Sequence, residues 1–424
     1  MLAGLTFIYC WVTLTPFADL GRAAVATDGA LNQIVAAALF GCALVIGAQS
    51  RFRELLLRPR WLLLALLGWL ILTSILGGDA AYSVRRVLLV VPMVIGANVF
   101  LLLPRSEEQF GRILAICSFI VLGLCYAGVL LLPRLAIHQG SDLLEPLLAG
   151  DWRGLFDHKN NAAPAMAILI FIGLYVANQR SRLVGYLIVA LAAVFLWKTG
   201  GKTALGVLPL AVIATWLLER AGHFMRWLIV LGTVGGYSLF TLGTLIWEPI
   251  RKLVVQFGVD DTFTGRVDIW QVALAGIKAK PLFGYGYDRF WGSTDLVYGF
   301  RDIPNWAVVA PAAHNSYLDI ALMGGWIGLA IALVWLVAMP TLDLSLAIER
   351  NGPSALTRLY ARIWIYCLLN GAMESFYFAT NGGVWFMMMV AVFGLRLQAQ
   401  AKQRVGHSSQ PYVEPALSPS SLAA

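Results

Sequence analysis

The chain has 424 residues, of which 59% are apolar and 13% charged, and its mean hydropathy is +0.75. Ordinary soluble domains contain about 45–50% apolar and about 25% charged residues, so this composition excludes a typical water-soluble enzyme. The 41 glycines and 17 prolines follow no period, which excludes a collagen-like chain, and 31 basic against 23 acidic residues give a net charge of +8.

A bilayer core of about 30 Å requires roughly 20 apolar residues in each spanning helix. Twelve low-charge runs approach this length, near residues 1–16, 29–48, 61–77, 87–104, 113–133, 162–178, 183–197, 204–218, 227–247, 317–339, 363–379 and 384–397. The predicted fold class is therefore all-α, a polytopic transmembrane helical bundle of about 12 spans. Its predicted divisions are spans one to nine (1–247), a long loop (248–316), spans ten to twelve (317–397) and a disordered tail (398–424) rich in Pro, Ser and Ala.

Basic residues are biased toward alternate loops, those after the second, fourth, sixth and eighth spans. These loops and the segments beside the last three spans hold 16 of the 31 lysines and arginines, the other short loops hold 8, and the long loop holds 7. Cytoplasmic loops retain positive charge during insertion, so both termini are predicted to be cytoplasmic and the long loop to face outward. The net charge is then an insertion signal, which makes membrane lipids the expected partner and gives no reason to expect nucleic acid.

The ends of the chain and its cysteines add two expectations. The first apolar run lacks a basic flank and a clear cleavage site, so we expect a retained helix and no signal peptide. All five cysteines fall inside predicted spans, where each behaves as a small apolar residue, so no disulfide framework or thiolate metal site is expected.

Charged, amide and aromatic residues are concentrated between spans five and six, in DWRGLFDHKNN at 151–161. A helix N-terminus presents unpaired backbone N–H groups, so these amides with Arg153 and Lys159 are candidates for holding an anion. His158 in the same segment is a candidate for proton transfer. The alternative is an interfacial turn with snorkelling bases and an aromatic anchor.

Two further outward-facing segments carry paired basic residues. KTGGKT at 198–203 lacks the spacing of a phosphate loop. Lys202 in this segment either neutralises a phosphate or simply belongs to the turn that separates two helices. The Arg85-Arg86 pair before span four opposes the positive-inside bias, and we interpret it as a contact with lipid headgroups.

The long loop contains TGRVDIW at 264–270, where an amphipathic helix is predicted. Apolar residues recur at three-to-four spacing until Pro281 stops the run, and Thr264 is the predicted N-cap. Arg266 then lies in the first turn, where its charge opposes the helix dipole unless an anion such as a diphosphate binds there. The alternative is a solvated arginine beside Asp268.

The next segment, PLFGYGYDRFW at 281–291, alternates glycine with aromatic residues. Such rings suit the stacking of sugars, and they equally suit anchoring at the membrane interface. Arg289 in this segment is a candidate substrate-binding residue.

The loop ends with HNSYLD at 314–319, at the start of span ten. Ser316 is the predicted N-cap, which leaves His314 outside the helix at the water boundary, where it can accept a proton near neutral pH. Asn315 and Tyr317 are candidate substrate-binding residues beside it. A structural histidine is the alternative.

The remaining ionisable residues narrow the choice of site. His223 and His407 are predicted to be cytoplasmic, and His138 has no polar company in the sequence. No histidine or carboxylate pair has metal-ligand spacing, so a metal-independent mechanism is favoured. Glu374, predicted inside span eleven, is costly to bury and is placed to orient His314 or an arginine, with hydrogen bonding between helices as the alternative.

Four motifs, in this order and within twelve spans, resemble the bacterial O-antigen ligase and exopolysaccharide polymerase superfamily. They are WRGLFDHKN at 152–160, TGRVDIW at 264–270, PLFGYGYDRFW at 281–291 and HNSYLDIALMGG at 314–325. The HKN and GYG..FW forms resemble exopolysaccharide polymerases more closely than lipopolysaccharide ligases.

The resemblance implies a glycosyltransferase of the bacterial inner membrane with a periplasmic active site and a glycan linked to undecaprenyl diphosphate as donor. It implies that Arg266 binds the donor diphosphate, that His314 serves the acceptor hydroxyl as base or orienting group, and that Arg153 supports the phosphates. Weaker candidates by the same resemblance are Lys159, Lys202 and Glu374. The family is metal-independent, uses no cofactor and inverts the anomeric carbon, so basic side chains stabilise the leaving diphosphate.

The expected activity is polymerisation of lipid-linked repeat units, with a glycan as acceptor. The nearest alternative is an O-antigen ligase, which transfers the finished glycan to lipid A-core. A transporter is a more distant alternative, and it predicts ionisable or unwound segments at mid-membrane, whereas this sequence concentrates its polar chemistry in the outer loops.

Overall fold

A computed structural model describes residues 1–12, 30–49, 60–142, 145–291, 310–380 and 382–400, with isolated positions between these ranges. Within these ranges the chain forms helices and connecting loops, and its one antiparallel β-bridge joins Ile137 to Trp152. Most of the predicted tail (398–424), including His407, and the basic segment around Arg51, Arg53 and Arg58 lie outside the described residues.

The principal helices follow one another along the chain with short connections. They are α1 (Leu2–Val12), α2 (Ala30–Gln49), α3 (Trp61–Leu76), α4 (Ala80–Leu88), α5 (Val91–Leu102), α6 (Glu107–Leu131), α7 (Lys159–Gln179), α8 (Arg182–Lys198), α9 (Lys202–Arg220), α10 (His223–Leu242), α11 (Glu248–Gln256), α12 (Arg266–Ala279), α13 (Ser316–Leu333), α14 (Met339–Asn351), α15 (Ala355–Asn370) and α16 (Gly383–Gln400).

The predicted all-α polytopic membrane fold is confirmed. Each predicted span overlaps a helix or two successive helices, and seven helical stretches of the described chain are long and apolar enough to cross a membrane. Shorter apolar helices lie at Leu2–Val12, Ile34–Gln49 and Trp61–Leu76. The figure of about 12 spans stays a prediction.

Two predicted span ends are wrong. Span ten was predicted to end at 339, before Pro340, but the helical stretch continues to Asn351 because a π-helical turn, Val334–Ala338, opens the backbone ladder where proline would otherwise clash. Span eleven was predicted to reach 379, but α15 ends at Asn370 and residues 371–380 are irregular. Glu374 therefore lies in a loop and not in a helix.

The core is formed by α7, α15 and α16, whose side chains are buried over most of their length. By contrast, α8, α9 and α10 bury narrower faces and expose many large apolar residues on the outside of the bundle. Exposed apolar residues on a polytopic bundle are the surface that lipid covers. The buried apolar core and the lipid-facing rim leave the helix ends as the places for polar chemistry.

The helix predicted in the long loop is confirmed as α12 (Arg266–Ala279). It buries Ile269, Trp270 and Ala273 in a second apolar cluster, which packs on α13. α13 is kinked at Gly325, whose φ of 65° is a left-handed conformation that glycine adopts freely. Residues 281–286 hydrogen-bond to the backbone at this kink and so fix the loop to the bundle.

Candidate functional site

Three segments that are far apart in sequence meet at the outer-loop end of the bundle. Arg266, at the start of α12, donates from its guanidinium to Glu374 Oε1 at 2.5 Å. His314, just before α13, has Nδ1 3.4 Å from Glu374 Oε2. The arginine and glutamate side chains are 13% and 11% exposed and the histidine 32%, so the pair is buried and the ring reaches open space. The sequence predicted these three residues as catalytic, and the fold brings them together.

Arg266 is positioned by a tight turn that Asp260 holds closed. The Asp260 carboxylate accepts hydrogen bonds from the backbone N–H of Thr262 at 3.0 Å and of Thr264 at 2.9 Å. Thr264 has a φ of 61°, which is strained for a β-branched residue, and these bonds stabilise the turn. The hydrogen bond from the Thr264 N–H is the main reason why the pKa of Asp260 lies below its ordinary value.

The predicted N-cap of α12 is wrong. Gly265, in a left-handed conformation with a φ of 83°, occupies the cap position, and no side chain caps the helix. The Thr264 hydroxyl cannot act as the cap because the turn places its residue one position too early. The N–H groups of Val267 and Asp268 instead donate to the carbonyls of Thr262 and Gly265, at 3.3 Å each, so the Arg266 side chain is the main donor that this helix start presents.

His314 is held by a network that joins α13 to the loop after α15. Its φ of 47° is a left-handed conformation that costs free energy in a non-glycine residue. The next residue, Asn315, donates from its side chain to Ala372 O at 2.9 Å and from its backbone to Ser375 Oγ at 3.1 Å. Asp319 accepts from Ala313 N at 3.0 Å and from Ser375 Oγ. Several bonds thus fix one strained histidine.

The N-cap of α13 also differs from the prediction. Asn315 caps the helix, accepting from the N–H groups of Tyr317 and Leu318, while Ser316 instead donates from Oγ to Glu374 O at 2.7 Å. Asparagine and serine cap helices about equally well, and Asn315 takes the cap position because the Ser316 hydroxyl is engaged by the loop after α15. Asn315 and Tyr317 were predicted to bind substrate, and here Asn315 caps α13 while the Tyr317 hydroxyl donates to Leu368 O in α15.

The charge state of Glu374 follows from its neighbours. Burial acts to raise its pKa, but the charges of Arg266 and His314 and their hydrogen bonds outweigh burial and hold the pKa below its ordinary value. Glu374 is therefore a carboxylate at neutral pH. A carboxylate facing Nδ1 favours the tautomer with hydrogen on Nδ1, so Nε2 of His314 is left to accept a proton.

A second polar cluster adjoins the first at the start of α7. His158 caps α7, accepting from Asn160 N, and its Nε2 lies 2.5 Å from Glu145 Oε2. The hydrogen bond with His158 is the main reason why the pKa of Glu145 is lowered, and the charge of His314 lowers it further. The charge of His314 thus reaches Glu145, which indicates that the two clusters lie near each other.

His138 was interpreted as having no polar company, and this was wrong. It is buried, with Nδ1 3.1 Å from Asp142 Oδ2 and Nε2 accepting from Lys159 N at 3.2 Å. Burial is the main reason why its pKa is lowered, so the ring is held neutral. The signal that sequence reasoning missed is local: Asp142 follows His138 by four residues, close enough to pair with it.

The predicted basic residues of this region have different surroundings. Lys159 pairs with Asp151 at 2.6 Å. Arg153 is 1% exposed and donates to the carbonyl of Asp157, so it braces the loop from inside. Its pKa is lowered, mainly by burial. These two residues lie beneath the surface that His158 presents.

Lys202 and Arg289, both predicted to bind substrate, have different neighbours. Lys202 is exposed at the start of α9, next to Thr203, whose Oγ1 is 3.4 Å from the Arg266 guanidinium. Arg289 lies in a separate group, with its guanidinium 3.7 Å from Asp79 near the start of α4. The fold therefore brings Lys202 to the catalytic candidates and does not bring Arg289 into contact with them.

The chemistry of this arrangement is that of acid, base and anion binding. In the part of the chain that the structure describes, no three His, Cys, Asp or Glu side chains gather as a metal site. A guanidinium has five N–H donors, and the contacts of Arg266 with Glu374 and Thr203 use two of them. The site thus offers the remaining arginine donors beside a histidine that a carboxylate orients.

Comparison with known proteins identifies relatives. Residues 165–333 match the O-antigen ligase family. The chain is 27% identical over 342 residues to the general O-oligosaccharyltransferase of Acinetobacter baylyi, covering 74% of this chain and 55% of that protein. It is 33% identical over 95 residues to the exopolysaccharide production protein ExoQ of Rhizobium meliloti, covering 21% of each. The chain thus spans about half the length of the first relative and a fifth of the second.

Proposed function

Because residues 165–333 match the O-antigen ligase family, we propose that this multi-pass membrane protein is a glycan-transferring enzyme. Its proposed donor is a glycan linked to undecaprenyl diphosphate, and its proposed acceptor is a sugar hydroxyl of another glycan. The reaction is polymerisation of polysaccharide repeat units. The observation that carries the proposal is the buried Arg266–Glu374 pair with His314 on the same carboxylate.

In the proposed reaction, His314 Nε2 takes the proton of the acceptor hydroxyl as its oxygen forms a bond to the anomeric carbon of the donor. The bond from that carbon to the diphosphate oxygen breaks on the opposite face, so the configuration inverts. The leaving undecaprenyl diphosphate takes the electron pair. Arg266, at the positive end of the α12 dipole, stabilises its developing charge without requiring a cation.

Glu374 has two roles in this mechanism. Its Oε2 orients the His314 ring and stabilises the imidazolium that forms after proton transfer, as a carboxylate does for a catalytic histidine. Its Oε1 holds the Arg266 guanidinium in place before the donor arrives. Lys202, which is exposed, and His158, which is partly buried, are proposed to contact the donor phosphates and the acceptor sugar.

The site is proposed to face the periplasm of a bacterial inner membrane, with both termini in the cytoplasm. The distribution of basic residues supports this orientation. Arg182, Arg220, Arg350 and Arg358 all lie at helix ends opposite to the Arg266 site, and positive charge is retained on the cytoplasmic side. The donor glycan would then be reached from the periplasmic leaflet.

The second candidate function is ligation of a finished glycan to lipid A-core. The description of the matched family as O-antigen ligase favours it, whereas the exopolysaccharide relative favours polymerisation. A transporter is less consistent with the fold, because Glu374 lies in a loop at the bundle end and not at mid-membrane.

Acceptor identity separates the two enzymes. Purified protein is incubated with a lipid-linked repeat unit alone, and then with the repeat unit and lipid A-core. Polymerisation predicts a ladder of longer lipid-linked chains in the first mixture, and ligation predicts product only in the second. The variants Arg266→Gln and His314→Ala should abolish either product while inserting normally. No product in both mixtures, or wild-type product from either variant, contradicts the proposal.

A further inference from the structure

A cavity of about 440 Å³ opens between α7, α8 and α15. Its walls include three arginines, Arg182, Arg358 and Arg362, together with Asn178 and Tyr186. This volume lies within the range of about 300–1,000 Å³ that is typical of small-ligand sites. Such a concentration of arginine in a concave space at a membrane-helix junction requires an explanation that the candidate active site does not give.

The cavity lies at the opposite end of the bundle from the candidate active site. α7 begins beside His158 and ends at Gln179 next to the cavity, while α8 begins at the cavity and α15 runs from the cavity to Asn370. At about 1.5 Å of rise per residue, the 21 residues of α7 separate the two ends by about 30 Å, the thickness of a bilayer core. The cavity therefore opens at the other leaflet.

The three arginines of the cavity wall carry more positive charge than the neighbouring acidic residues neutralise. Arg358 is neutralised by Glu219, at 2.5 Å from Nε and 3.1 Å from a terminal nitrogen. Glu107 is engaged behind the cavity wall by the hydroxyl of Tyr175 at 3.1 Å. Among the described residues no carboxylate oxygen lies within 4 Å of the nitrogens of Arg182 or Arg362.

Arg362 makes no ion pair within 4 Å in the described part of the chain, its Nε is enclosed without a hydrogen bond, and Glu219, which Arg358 already holds, acts on it only from a longer distance. Leaving an enclosed guanidinium nitrogen unpaired costs free energy, and a bound anion would remove that cost. A phosphodiester matches the planar donors of a guanidinium, which explains why arginine and not lysine lines the cavity.

An apolar surface starts at the same point. Along α8, large apolar side chains are exposed on one face directly from the cavity onward, namely Leu183, Tyr186, Leu187, Val194 and Trp197. A stripe at this spacing follows one side of a helix. It offers the acyl chains of a lipid a path parallel to α8, whereas a free phosphate or nucleotide has no use for it.

We propose that this cavity binds the headgroup of an anionic phospholipid. The phosphodiester lies between Arg182 and Arg362, Asn178 hydrogen-bonds to headgroup hydroxyls, and the acyl chains follow the exposed face of α8. Basic pockets between membrane helices on the cytoplasmic side are suited to such headgroups. The site stands independently of the proposed glycan transfer, because it rests on residues at the other end of the bundle.

The test uses the purified full chain, stripped of lipid in a neutral detergent, with phosphatidylglycerol and phosphatidylcholine of identical acyl chains at equal concentration. Native mass spectrometry counts the lipids that remain bound. We expect phosphatidylglycerol to be retained in preference, and Arg362→Gln and Arg182→Gln each to reduce its affinity by about tenfold, as expected for a lost charged hydrogen bond.

Arg180→Gln is the matched control, since Arg180 is exposed two residues from Arg182 and does not line the cavity. It should leave the lipid preference unchanged, and Arg362→Lys should retain part of the affinity and show that the fold persists. Because Arg182 is exposed at a helix start, its variant decides the result if Arg362→Gln fails to fold. Equal loss in the control, no preference for the anionic lipid, or displacement of the lipid by millimolar inorganic phosphate overturns the proposal.

Discussion

Replacing Glu374 by glutamine removes the charge that joins Arg266 to His314 and leaves the shape of the side chain nearly unchanged. Arg266 and Glu374 are both largely buried, with 2.5 Å between guanidinium nitrogen and carboxylate oxygen. At an effective dielectric constant of about 20, unit charges about 4 Å apart attract by about 4 kcal/mol before desolvation is counted. Since the variant leaves a buried guanidinium without its counter-charge, we expect the free energy of unfolding to fall by about 3 kcal/mol.

The effect on activity should fall on kcat. Without the carboxylate, the His314 ring loses both its orientation and the stabilisation of its protonated form, so we expect kcat to fall between about 100-fold and 10,000-fold. The donor KM should not rise, because Arg266 keeps its full charge for the diphosphate and the glutamine Oε1 still accepts the hydrogen bond that holds the guanidinium in place. Initial rates of transfer from a fluorescent lipid-linked donor, measured against donor concentration in proteoliposomes, separate the two constants.

The chain provides a matched control at the other end of the bundle. Glu349 also pairs with an arginine and a histidine, Arg226 at 3.1 Å and Nδ1 of His223 at 3.2 Å, but it is 45% exposed. Glu349→Gln should therefore leave kcat and KM at wild-type values. A rise in donor KM with unchanged kcat in Glu374→Gln, or equal losses in the two variants, would refute the reasoning.

Three further predictions concern positioning and stability. Asp260→Ala removes the hydrogen bonds that hold the strained turn before Arg266, so donor KM should rise about tenfold in the same assay, whereas Asp260→Asn, which keeps an acceptor oxygen, should lose less. His138 has a lowered pKa in the folded chain, so below about pH 6.5 the unfolded chain binds more protons at this residue than the folded chain does. The neutral His138 therefore contributes to stability above about pH 6.5, and this contribution is lost as the pH falls. The melting temperature of His138→Gln should not show that decline at low pH. Gly325→Ala should lower the melting temperature by several degrees, because a φ of 65° disfavours any side chain and the added Cβ would overlap a neighbouring backbone carbonyl. Gly232→Ala is the control and should leave the melting temperature unchanged, because the added Cβ there meets open space. A flat response in any of these pairs contradicts the corresponding role.

Hydropathy predicted the positions of the helices because long apolar runs are stable in lipid, and in lipid the backbone must satisfy its own hydrogen bonds by forming a helix. The same rule failed at α15, where residues 371–379 remain apolar enough to extend a span. They leave the helix because Ser316 N donates to the carbonyls of Gly371 and Glu374 from across the bundle. Such contacts join residues more than fifty positions apart, and no local pattern contains them.

The candidate site shows the same division. Arg266 at a helix start and His314 just outside one were predictable, because dipole, cap and breaker signals are local. Glu374, the carboxylate that both residues contact, was predictable only as an acid that is costly to bury and therefore needs a polar partner. His138 was missed because its burial depends on how the loop before α7 packs. The exact N-caps were missed because neighbouring residues of similar capping ability compete within one turn.

The central claim is that Arg266, which stabilises the leaving diphosphate, and His314, which takes the proton of the acceptor hydroxyl, act together in one step. A double-mutant cycle measures this directly, from kcat/KM for transfer by Arg266→Gln, His314→Ala and the double variant in proteoliposomes. The account predicts that the double variant is no slower than the slower single variant, because either loss alone disables the transfer. Losses that multiply in the double variant would show two independent contributions and contradict the account.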